Sequence, residues 1–142
     1  MAEDCRFCGI ASGDVEAAIV LDEPGAVAFL DHRPLFHGHC LLIPRAHRKT
    51  LTDLPAGEVE PFFQTTKLLA RAVQEAMNAQ GTFVAMNNVV SQSVPHLHVH
   101  VVPRRRKDGL RGFFWPRTKY ENEGQLRETQ AALREAIERL RA

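Results

Sequence analysis

The sequence predicts an α+β fold, an antiparallel five-stranded sheet carrying two main helices. Short apolar runs bounded by turn residues read as strands, and two long segments show helical periodicity. Their order is strands, helix, strands, helix, which favours an antiparallel sheet over regular parallel crossovers. At 142 residues, 44% hydrophobic and 25% charged, the chain is long enough to bury a core without disulfide staples. One domain over residues 1–142 is expected.

Ala17–Leu21 and Ala26–Leu30 read as the first two strands. Between them Pro24-Gly25 supplies turn chemistry. Asp31-His32-Arg33-Pro34 ends the second strand, and Phe36-His37-Gly38 forms a loop. A third strand at His39–Ile43 stops at Pro44. A helix is predicted over Glu58–Ala79, where Phe62, Phe63, Leu68, Leu69, Ala72, Val73, Ala76 and Met77 supply an apolar stripe at helical spacing. Pro61 then belongs near the first turn or makes a kink. Phe83–Asn87 reads as the fourth strand and His96–Val102 as the fifth. The aromatic segment Phe113-Phe114-Trp115-Pro116 is expected to pack on the core. Glu123–Leu140 is the second helix, with Leu126, Leu133, Ile137 and Leu140 roughly on one face.

The fifth strand carries the chemistry. In His96-Leu97-His98-Val99-His100-Val101-Val102 the residues alternate, so the three imidazoles share one face, about 7 Å apart. Imidazole titrates nearest neutrality and serves as nucleophile, proton carrier or metal ligand. One strand histidine alone is ordinarily a hydrogen-bonded or surface residue; three in register are not accidental. A purely metal-binding strand is the main competitor.

Other features exclude classes of function. A net charge of +1 provides no global field for nucleic acid or an anionic membrane. The start, Met1-Ala2-Glu3-Asp4-Cys5, is acidic and lacks the apolar core of a secretion signal. No run reaches transmembrane length. Three cysteines, an odd number, argue against a disulfide framework and for a reduced, cytoplasmic protein. Cys40 alternates into an apolar strand and reads as a small buried residue. The run Arg104-Arg105-Arg106-Lys107 is either a solvated loop or an attraction for a phosphate-bearing ligand near the histidine strand. Cys5-Arg6-Phe7-Cys8 is a CxxC pair, half of a zinc site or a redox pair. The strand context of a redox CxxC is missing, because the pair precedes the first strand.

The run Gln92-Ser93-Val94-Pro95 followed by the three alternating histidines resembles the signature of the histidine triad (HIT) family. Phe29-Leu30-Asp31 and Gly38-His39-Cys40-Leu41-Leu42-Ile43-Pro44 resemble further segments of it, and the match runs from about Cys5 to Arg104. The chain looks nearer the small Hint-like branch than aprataxin-like repair proteins, since it lacks an added nucleic-acid domain. The resemblance implies a HIT-like nucleotide-binding domain whose sheet continues across a homodimer. It implies hydrolysis or nucleotidyl transfer at the α-phosphate of AMP derivatives such as phosphoramidates.

Carried over residue by residue, His98 matches the nucleophile, which would form a nucleotidyl-histidine intermediate. His100 matches the neighbour that bonds a phosphate oxygen and, if charged, offsets developing charge. His39 completes the catalytic set, and Ser93 matches a hydroxyl near the leaving group. Asp31 would accept from the ribose hydroxyls, with His32 beside it on sugar or base. Asn87 matches an amide that contacts phosphate or ribose, with Asn88 an alternative, and backbone N–H groups around Gln92 and Ser93 could hold phosphate oxygens. Phe7, Ile10 and Leu30 could form an apolar base pocket. His47 and His96 match the residues that join Cys5 and Cys8 in a structural zinc site. The loop Val89-Val90-Ser91 is shorter and more apolar than the Gly-rich, acidic loop of many relatives, which puts the phosphate contacts there, Asn87 above all, in question. Two other functions remain open: a dinucleoside polyphosphate hydrolase of the Fhit kind, and a zinc-stabilised nucleotide- or partner-binding protein without significant catalysis.

Overall fold

The computed structural model describes residues 4–110 and 117–142. The chain falls into two units, residues 1–108 and 109–142. The first contains α1 (Arg6–Ser12), β1 (Ile19–Asp22), β2 (Ala26–Leu30), β3 (Cys40–Pro44), a 3-10 turn (Leu51–Asp53), α2 (Ala56–Ala76), β4 (Gly81–Ala85) and β5 (Val99–Arg104). Its strands form one sheet in the order β1-β2-β3-β5-β4, with every neighbouring pair antiparallel. This is the architecture the sequence predicts. The second unit holds α3 (Glu123–Arg141), capped where the Asn122 side chain accepts from the Gln125 N–H. No residue of α3 is buried. The segment Phe113–Pro116 lies outside the described residues.

The two faces of β2 and β3 are both covered. Ala26, Ala28, Cys40 and Leu42 join Leu97, Val99 and Val101 in a core with Phe62, Leu69 and Val73 of α2. Val27, Phe29, Leu41 and Ile43 point the other way and pack with Phe7, Ile10 and Ala11 of α1. Strands buried on both sides read as continuous apolar runs, as these do. Each fully buried Leu, Ile or Val adds roughly 1.5–3 kcal/mol.

Helix α1 is the element the sequence reading lacked. It has seven residues and starts at Cys5, whose Sγ accepts from the Cys8 N–H at 3.3 Å. It ends at Gly13, whose φ of 88° suits a residue without a side chain. A thiol is not among the usual capping groups, so the start carries no ordinary sequence signal.

Helix α2 begins at Ala56, two residues earlier than expected, and Pro61 lies in its second turn. Its ladder forgoes one N–H at that point. The fifth strand pairs only from Val99, so His96 and His98 precede the ladder although their faces still alternate. The histidine face is not solvated: His96 is 0% and His98 4% exposed.

Candidate functional site

Strand register gathers the histidines. Leu41 lies opposite His100, and Leu30 opposite Cys40. Alternation then places Asp31, His39, His96, His98 and His100 on the α1 side of the sheet. The Asp31 N–H donates to the His39 carbonyl at 2.9 Å, which extends the β2–β3 pairing to the end of the cluster.

Backbone partners fix the protons on the rings. His98 Nδ1 lies 2.8 Å from the His96 carbonyl oxygen. A carbonyl only accepts, so Nδ1 carries the proton and Nε2 holds the lone pair. His39 is set the opposite way, because its Nδ1 accepts the Leu35 N–H at 3.1 Å. Its proton therefore sits on Nε2, which lies 2.9 Å from His100 Nδ1. His100 accepts there and keeps its own proton on Nε2. Asp31 Oδ2 stands 3.6 Å from His39 Nε2, the longer of the two contacts. Burial, reinforced by neighbouring His98 and His39 and opposed by Asp31, pushes the His100 imidazole down to about 4. Burial lowers His39 as well, against the pull of Asp31. His100 thus presents its Nε2–H as a hydrogen-bond donor, and burial favours its neutral form.

A cavity of about 410 Å³ opens over this cluster. Phe7, Ile10, Phe29, Leu30 and Leu41 form its apolar walls, and Asp31, His32, Ser93, His98 and His100 its polar ones. An apolar chamber with a few convergent polar groups is the usual form of a small-molecule site. Asp31 Oδ1 also accepts the Arg33 N–H at 2.9 Å, so the carboxylate is both turn residue and cavity wall.

The cysteines form a second cluster beside the first. Cys5 Sγ is 3.3 Å and Cys8 Sγ 3.5 Å from His96 Nδ1, and Cys8 Sγ is 3.2 Å from His47 Nδ1. All four ligand atoms lie within 4.8 Å of one another. His96 Nε2 donates to the Pro44 carbonyl at 2.8 Å, so Nδ1 is left bare towards the sulfurs. Two thiols and two imidazoles are the donor set of a closed tetrahedral zinc site, and the residues fit that metal.

Some expected residues stand apart. Asn87 is exposed and does not line the cavity, and the Asn88 side chain accepts the Leu51 N–H at 2.8 Å. Gln92 braces the loop: Oε1 accepts the Val89 N–H at 2.9 Å, and Nε2 donates to the Lys49 carbonyl at 2.6 Å. The basic run sits at the far end of β5 from His98. Arg104 binds Asp108 through Nε at 2.6 Å, and Arg105 Nη2 donates to the Met77 carbonyl. Arg6 and Glu16 line the cavity and were missed. Arg6 comes from α1 and Glu16 from the connection between α1 and β1, and no local pattern announces either.

Fold and site together define a class: small antiparallel α+β domains with a histidine-floored cavity on one sheet face. The HIT domain family model matches residues 12–107, and the chain belongs to that family. A crystal structure from Streptococcus mutans superposes with a TM-score of 0.86, is 29% identical, and spans 96% of this chain and 87% of that one. A zinc-bound histidine triad family protein from Mycobacterium smegmatis is 36% identical, with a TM-score of 0.71 over 95% of this chain and 96% of that one. The adenosine 5′-monophosphoramidase HNT1 of Saccharomyces cerevisiae is 32% identical over 109 residues, which are 75% of this chain and 66% of that protein. At the level of the family, these relatives support a nucleotide hydrolase.

Proposed function

We propose that the chain hydrolyses or transfers the nucleotidyl group of AMP derivatives with an amine leaving group, through a covalent intermediate on His98. One observation carries this reading: the His96 carbonyl holds the proton on His98 Nδ1 and leaves Nε2 as a bare nucleophile in the cavity wall. In the first step the Nε2 lone pair forms a bond to the α-phosphorus, and the phosphorus–nitrogen bond to the leaving group breaks in line. The leaving nitrogen takes up a proton, with the Ser93 hydroxyl and the His100 Nε2–H as the donors at hand. The His98 ring becomes cationic, and its Nδ1–H bond to the His96 carbonyl strengthens as it does. In the second step water attacks phosphorus and gives its proton to the group that donated one in the first step, the bond to His98 breaks and returns its electron pair to Nε2, and AMP leaves. Asp31 takes the ribose hydroxyls, and the apolar walls take the base.

Zinc belongs to the reading as a structural ion held by Cys5, Cys8, His47 and His96. A homodimer belongs to the reading as well, as the resemblance to the family implies. No disulfide joins Cys5, Cys8 or Cys40 among the described residues, in keeping with a reducing compartment such as the cytoplasm. No helix among the described residues is long and apolar enough to cross a membrane.

The test follows AMP release from adenosine 5′-monophosphoramidate and from a diadenosine polyphosphate. Release from the phosphoramidate should fall by roughly 10³-fold or more in His98→Ala. An AMP-bearing protein should be trapped in the wild type and absent from the variant. Preference for the polyphosphate would move the assignment to a Fhit-like hydrolase. AMP binding with no release from either substrate would leave a nucleotide-binding protein.

A further inference from the structure

The metal cluster and the nucleotide cavity share one short helix and one backbone carbonyl. We propose that zinc binding at the cluster and nucleotide binding in the cavity are positively linked, with Phe7 as the positioning residue that couples them. The proposal rests on the zinc and nucleotide readings above.

Two connections carry it. The first runs through His96, whose Nδ1 faces the cysteines while its carbonyl oxygen holds the His98 Nδ1–H. The second runs through α1. Cys8 follows Phe7 directly, and the Phe7 ring meets His98 edge-on, with centroids 5.1 Å apart and planes at 83°. The same ring lies 6.0 Å from His96 and walls the cavity with Ile10.

A seven-residue helix is far too short to persist alone in water. Its anchors are the apolar face of Phe7, Ile10 and Ala11, the Arg45 guanidinium on the Ala11 carbonyl, and the cysteines on two histidines. Closing the four ligands around an ion pins the start of α1 to His47 and His96, ahead of the first strand and beside the fifth. With that anchor released, Phe7 is free to leave His98, and the cavity loses the wall it shares with Ile10. Whatever stabilises α1 in place therefore favours both ligands, and linkage makes the effect reciprocal.

The experiment uses the full chain with zinc and AMP. Zinc stoichiometry comes first, and a chain that takes up no zinc overturns the zinc reading and the linkage together. Failure of the zinc-loaded chain to bind AMP overturns the nucleotide reading, again with the linkage. Given both, AMP affinity by calorimetry should be about tenfold weaker in the metal-free chain, and AMP should tighten zinc binding by the same factor. Equal AMP affinity with and without bound zinc overturns the linkage alone. Phe7→Leu decides the matter if the metal-free chain unfolds. It should retain zinc, bind AMP about tenfold more weakly, lower kcat as well as raise KM, and abolish the effect of AMP on zinc affinity. Phe7→Tyr should restore the coupling. A zinc-loaded Phe7→Leu chain that binds AMP and turns over like the wild type overturns the role of Phe7.

Discussion

Two side-chain clusters lie on the same sheet face, and both have the makings of a metal site. Cys5, Cys8, His47 and His96 form one, and Asp31, His39 and His100 the other, each with its ligand atoms within 4.8 Å. They differ in what the backbone offers the imidazoles. At His96 a carbonyl, that of Pro44, accepts the hydrogen bond from Nε2–H and leaves Nδ1 facing the sulfurs. At His39 an amide, that of Leu35, occupies Nδ1 and obliges Nε2 to donate. A metal on His39 Nε2 would need that proton moved to Nδ1, where the Leu35 N–H already points. The first cluster is therefore arranged for an ion and the second for a directed chain of hydrogen bonds ending at His100. Proximity of ligand types does not distinguish them; tautomer does.

The largest effect expected from this contrast is on metal affinity. Cys8→Ser should weaken zinc binding by about 10³-fold or more and cost several kcal/mol of stability, since binding energy at a structural site is folding energy. His39→Gln should leave zinc content at one ion per chain. Elemental analysis of both variants checks this, and a second equivalent of tightly held zinc that depends on His39 would break the comparison.

Next comes catalysis. With the relay interrupted, His100 is no longer held as the Nε2–H donor, and His39→Gln should lower kcat by about 10–100-fold with zinc binding intact. Steady-state kinetics on the phosphoramidate measures it. An unchanged kcat would mean that the His39–His100 hydrogen bond only packs the sheet.

A smaller effect concerns pH. The His100 pKa is lowered from its ordinary 6.5 to about 4 in the folded chain. Above pH 6.5 both folded and unfolded chains hold it neutral, and its contribution to stability is complete. Between about 6.5 and 4 the unfolded chain gains the proton and the folded chain does not, so stability falls by on the order of 2–3 kcal/mol. Denaturant melts of wild type and His100→Asn across that window should diverge in slope, the variant being flatter. Because both chains keep the cysteines, the acid sensitivity of the metal cluster cancels in the difference.

The smallest expected effect is at the loop beside Ser93. Asn88→Ala removes the acceptor of the Leu51 N–H and should cost about 1 kcal/mol in thermal or denaturant unfolding, with little change in kcat. A large fall in kcat would instead bring this loop into the site.

Much of this was legible in the chain. Short apolar runs bounded by turn residues marked the strands to within a few residues, because β2 and β3 are buried on both faces. The histidine run and the CxxC pair marked both clusters, since few structural roles require those residue types so close together. Helix α1 was not legible, because a thiol caps it and its length is below what helical periodicity can show. The cavity residue Arg6 went unseen for the same reason: it lines the site only as part of α1.

By itself, the sequence determined the fold class and which side chains share a face, for those follow from local periodicity and turn chemistry. Tertiary structure decided what each of those histidines can do. The partners that set their protons include the Pro44 carbonyl, 52 residues from His96, and the His39 ring, 61 residues from His100. Which ring nitrogen carries the proton depends on the group that meets the other one, and the packing of the strands chooses that group.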